Sequence, residues 1–64
     1  MTRLTVGDVV LARELQHQHE VVYLLLKRIG NDWECLVLHS RCSALEVGGL
    51  YMPAEAFLTT GELL

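Results

Sequence analysis

Sixty-four residues make one small domain, and a chain of that length buries only about 60% of the surface its unfolded form exposes, so stability is marginal without a disulfide, a metal or association. Apolar residues supply 52% of the chain and the mean hydropathy is +0.32, which excludes a disordered polar segment. A formal charge of −3, an isoelectric point near 5.4 and only five Lys and Arg residues leave no basic stripe for nucleic acid and no attraction to anionic membranes.

The opening "MTRLTVGDVV" has no apolar core of secretory length, because Asp8 interrupts it. No apolar run approaches the roughly 18 residues of a membrane span. Two cysteines, Cys35 and Cys42, are too few for a secreted disulfide scaffold, so a reduced, cytoplasmic protein is expected. Residues 6 to 14, "VGDVVLARE", read as a first strand in which Gly7-Asp8 is a turn pair and Val9, Val10 and Leu11 are strand formers. The polar "LQHQH", residues 15 to 19, is a loop or strand end. Residues 20 to 29, "EVVYLLLKRI", and 33 to 40, "WECLVLHS", are two apolar runs around "GND", a pattern that predicts an antiparallel hairpin. A longer connection, residues 40 to 49, ends in Gly48-Gly49. A short strand follows at 50 to 52. Pro53 suits the first turn of a helix, and "AEAFL" has helical preference, so one helical or 3₁₀ turn is expected there. "TTG" breaks it, and "ELL" forms a last short strand.

The hairpin is apolar on both faces. Alternation places Val22, Leu24 and Leu26 with Leu36 and Leu38 on one side. It places Val21, Tyr23, Leu25 and Ile29, with Lys27 among them, beside Trp33, Cys35, Val37 and His39 on the other. A sheet with one wet face alternates apolar and polar residues, and this one does not. One face lines the interior, and the second needs a cover. Either the C-terminal segment, with Phe57, Leu58, Leu63 and Leu64, folds over it, or a partner does, most simply a second copy. A chain this short has little material for a lid, so a partner is expected, docked on Val21, Tyr23, Leu25, Trp33 and Val37. Tyr23 and Trp33 suit an interface, each having an apolar body and a polar tip.

Candidate chemistry is sparse. On an extended strand His17 and His19 point the same way, roughly 6–7 Å apart, but a metal needs three or four ligands. Glu14 or Glu20 would have to supply a third, and Glu20 alternates to the side opposite His19. The pair is expected to be a solvated rim, with no metal and no cofactor. Cys35 and His39 share a face yet lie about 13 Å apart along a strand, too far for one metal ion. Cys42 stands beside Arg41 and three residues after His39, the minimum for a thiol nucleophile, and reads as an ordinary loop thiol. Gly48-Gly49 lacks the Lys and Ser or Thr of a phosphate loop. Lys27-Arg28 reads as a solvated hairpin end, and the carboxylates are dispersed.

The order strand, loop, hairpin, strand, helical turn, strand, with "VGDVV" opening the first strand and "PAEAFL" before the last, resembles a small five-stranded barrel of the Src homology 3-like type. The resemblance covers nearly the whole chain as architecture. It implies one all-β domain over residues 1 to 64, closed as a barrel. The same opening is similar to that of small endoribonuclease toxins built on this barrel. The acidic-loop and aromatic residues of proline-peptide binders find no match, so that activity is not carried over. The expected function is a non-catalytic protein-interaction, adaptor or accessory module that self-associates. The alternatives are a nucleic-acid-binding or regulatory barrel using Trp33 and Tyr51 as stacking aromatics, and a nuclease or thiol enzyme centred on His39 and Cys42.

Overall fold

The computed structural model describes residues 3–13, 19–41 and 45–64. Five strands, β1 (Val9–Arg13), β2 (Glu20–Ile29), β3 (Asp32–Ser40), β4 (Leu50–Tyr51) and β5 (Glu62–Leu63), form one antiparallel sheet in the order β4-β3-β2-β1-β5. A one-turn helix, α1 (Glu55–Leu58), joins β4 to β5. The expected hairpin is β2–β3. Ile29 pairs with Asp32, so the loop is the two residues Gly30-Asn31, and Gly30 takes φ 61° as such tight turns require. β4 and β5 stand at opposite edges, so the sheet is open where a closed barrel was expected.

Residues 6 and 7 form a turn, not the start of a strand. The Asp8 carboxylate accepts hydrogen bonds from the Thr5 backbone N–H at 2.8 Å and its hydroxyl at 3.2 Å. The chain stays on the sheet, because the N–H of Gly7 donates to the carbonyl of Leu25 and the N–H of Leu25 to that of Asp8.

Two bulges bend β2 against β3. Val22 faces His39 while Tyr23 faces Val37, which makes Leu38 the extra residue. Leu25 faces Cys35 while Lys27 faces Glu34, which makes Leu26 another. Each bulge inverts the alternation beyond it. Lys27 and Ile29 leave the face of Leu25, Arg28 joins it opposite Trp33, and His39 crosses to the face of Val22. Strict alternation had these residues on the wrong sides.

The core is Leu4, Val10, Ala12, Val21, Tyr23, Leu25, Trp33, Cys35, Val37 and Leu58, with Leu45 and Phe57 packed against it. The five residues expected to dock a partner, Val21, Tyr23, Leu25, Trp33 and Val37, are 0–2% exposed within the single chain. They are its interior, not its surface. The physical reason lies in "PAEAFL". The carbonyl of Pro53 accepts the Trp33 N–H at 3.0 Å, and the carbonyl of Asn31 accepts the Glu55 N–H at 2.9 Å, which ties the segment to the hairpin end. Phe57 meets Tyr23 edge-on with centroids 6.4 Å apart, and Tyr51 stacks on Tyr23 at 6.1 Å. Pro53 precedes the helix, whose N-cap is the extended Ala54 at φ −69°, ψ 148°. Leu63 and Leu64 are exposed and take no part in the lid.

Candidate interaction surface

With Tyr23 and Trp33 inside, the outward face is the one carrying Leu24 and Leu36. Cross-strand pairing sets Val9 beside Leu24, Leu24 beside Leu36 and Leu36 beside Leu50. Four apolar side chains therefore form one row across β1, β2, β3 and β4. At about 4.8 Å between strands the row is about 14 Å long. Leu11 and Val22 pair next to it. Leu26 and Leu38, displaced outward by the bulges, are 37% and 40% exposed, and Leu50 is 65% exposed. Val9, Leu11, Val22, Leu24 and Leu36 are half-buried. A continuous apolar strip of this kind is uncommon on a monomer's surface.

Charge frames the row with both signs. Arg13 pairs with Glu20 beyond one side, and Lys27 pairs with Glu34 beyond the other. Glu62, on β5, pairs with Leu11 and stands directly beside the apolar residues, and Asp32 lies at the hairpin tip. His39, opposite Val22, is exposed on this face.

The strongest polar cluster sits elsewhere and is structural. The Arg28 guanidinium donates to both oxygens of Glu55 and lies over the Trp33 ring, 4.8 Å from its centroid. The Trp33 indole N–H donates to the same carboxylate at 3.4 Å. Arg28 holds the Glu55 carboxyl below the usual carboxylate range, and the carboxylate raises Arg28 in return. Lys27 and Arg28 are both exposed at the hairpin end, and Arg28 in addition clips the hairpin to α1. Trp33, enclosed and bonded, offers no face for a base to stack on.

Of the two thiols, Cys35 lies among the described residues. Cys35 is buried and not in a disulfide. Burial first, and the Glu34 charge second, push its thiol from 9.0 up to about 11, so it stays neutral and inert at neutral pH. His39 lies on the opposite side of the sheet from it. His17, Glu14 and Cys42 fall outside the described residues, and His19 is exposed. No group of three or more His, Cys, Asp or Glu residues that could hold a metal occurs among the described residues. One open cleft, between β1 and β5, is lined by Arg13, Glu20, Thr60 and Glu62, and another, beside α1, by Arg3, Asn31, Glu55 and Thr59. The Thr60 hydroxyl donates to the Phe57 carbonyl and that of Thr59 to the Ala56 carbonyl, so neither is paired with a base.

Among the described residues no helix is long and apolar enough to cross a membrane. The chain matches no family model, no curated protein and no solved structure.

The outer row was within reach of the sequence. Arg13, Glu20 and Glu34 share the face of Val9, Leu24 and Leu36, and charged residues mark the wet side, whereas Trp33 and Cys35 are types that bury.

Proposed function

We propose that this chain is a non-catalytic protein-interaction module on a Src homology 3-like plan, and that the outer face of its sheet is the working surface. The observation that carries this function is the unbroken row Val9, Leu24, Leu36, Leu50, widened by Leu26 and Leu38. Such a face costs solubility unless something covers it, and the chain's own lid is already engaged on the opposite side. The strand order β5-β1-β2-β3-β4, the bent second strand and the helical turn between the last two strands support the Src homology 3-like plan, with the barrel left open between β4 and β5. The unpaired thiol of Cys35 suits a reducing, cytoplasmic setting.

The test compares immobilised wild type with a Leu38→Lys/Leu50→Lys variant as baits in a lysate of the source cell. Both substituted side chains are exposed, so circular dichroism of bait and variant should coincide. Proteins held by the wild type and lost by the variant are the expected result. Equal capture by both, or retention of nucleic acid that salt releases, overturns the proposed role.

A further inference from the structure

We infer that the occupant of the outer face is a second copy of this chain, the two sheets packed face to face about a two-fold axis. This rests on the outer face being a contact surface and names what fills it.

The outer face carries both signs. Arg13 pairs with Glu20 and Lys27 with Glu34, while Glu62 beside Leu11 and Asp32 at the hairpin tip add negative charge. A two-fold axis turns each mixed-sign side onto a mixed-sign side, so cations of one copy meet anions of the other.

Area points the same way. The chain exposes 4289 Å². A standard interface takes about 800 Å² from each partner, roughly a fifth of that surface. A body 27 × 21 × 20 Å in extent supplies such an area only by committing a whole face. The sheet's outer face is the one whose centre is apolar from β1 to β4.

Geometry disfavours the usual alternative for a β protein, edge-to-edge pairing. β4 and β5 have two residues each, and edges that short are poor templates for another strand. Face-to-face packing instead places two twisted sheets about 10 Å apart with their strands roughly 30° from parallel, and the inner side chains interdigitate.

Sedimentation equilibrium at tens of micromolar tests the inference on the full chain. The expected mass is twice 7.2 kDa. Leu38→Lys and Leu50→Lys, each alone, should return a monomer with an unchanged circular dichroism spectrum, because a lone charge would enter an apolar contact. Leu64→Lys, on an exposed residue after β5, should leave the dimer intact. A wild-type monomer overturns the inference, and if lysate capture remains sensitive to the face substitutions, the interaction role survives without it. A dimer that tolerates both face substitutions but breaks with Leu64→Lys also overturns it, in favour of the β5 edge.

Discussion

Glu55, on α1, joins Arg28 of β2 and Trp33 of β3, so its titration should be visible in the stability of the whole chain. Its carboxyl is depressed by Arg28 first and by the Trp33 indole second, against an opposing effect of desolvation. A carboxyl with a lowered folded value binds its proton more readily when unfolded, so its contribution is present above the unfolded value and is lost as pH falls through the folded one. Scanning calorimetry should therefore find Glu55→Gln less stable than wild type at pH 7, with the difference shrinking below the ordinary carboxylate range. A gap that stays constant with pH would mean that the Arg28 clip contributes nothing. Cys35 gives a second test at this scale. In a Cys42→Ser background, its thiol should react with a disulfide reagent at pH 8 only as fast as the chain unfolds, because burial excludes both the reagent and the thiolate. Rapid stoichiometric labelling of the folded protein would contradict its place in the core. That Cys35 behaves as a small hydrophobe was legible from its apolar neighbours Leu36 and Val37. The clip was not, because Arg28 and Glu55 are 27 residues apart and meet only after the bulge at Leu26 turns Arg28 inward.

At the scale of elements, the helical turn does more than connect. Leu58 is buried and is the deepest side chain that α1 contributes to the core. Leu58→Ala should cost about 2–5 kcal/mol, comparable with the roughly 3–5 kcal/mol that a core of this size supplies. Urea titration should find the variant largely unfolded at 25 °C, and retention of most of the stability would show that the lid is dispensable. The last strand depends on a close approach. A Cβ at Gly61 would sit 2.5 Å from the carbonyl oxygen of Leu11 and 3.1 Å from the Cα of Ala12, both backbone atoms that cannot move aside. Gly61→Ala should cost on the order of 1–3 kcal/mol and lower Tm by several degrees. Hydrogen exchange should quicken at β5 and at the β1 groups it covers. The order of strands and the helical turn were readable because turn residues and apolar runs alternate clearly along the chain. Which face is inside was not read correctly, for a specific reason. Both faces are apolar through Val21–Leu26, and the bulges at Leu26 and Leu38 reset the alternation at the two places where Lys27 and His39 would otherwise have marked a side.

For the molecule as a whole, the sheet's interior is covered by its own chain and its exterior carries a row of exposed and half-buried leucines and valines. Both faces of the sheet carry apolar side chains, as expected, but the faces trade places. Tyr23 and Trp33 are core, and Leu24, Leu36 and Leu50 form the surface. The barrel closure expected from the strand order fails because β4 and β5 are two residues long and sit at opposite edges. If the row meets its equivalent in a second copy, methyl groups of separate chains lie within about 5 Å of one another, close enough for magnetisation to pass between them. An isotope-filtered nuclear Overhauser experiment on a mixture of labelled and unlabelled chains reads that contact directly. Cross-peaks between chains should join methyls of Val22, Leu24, Leu26, Leu36, Leu38 and Leu50. Cross-peaks confined to Met52 and Leu64 at the sheet edges, or none between chains at millimolar concentration, would contradict it.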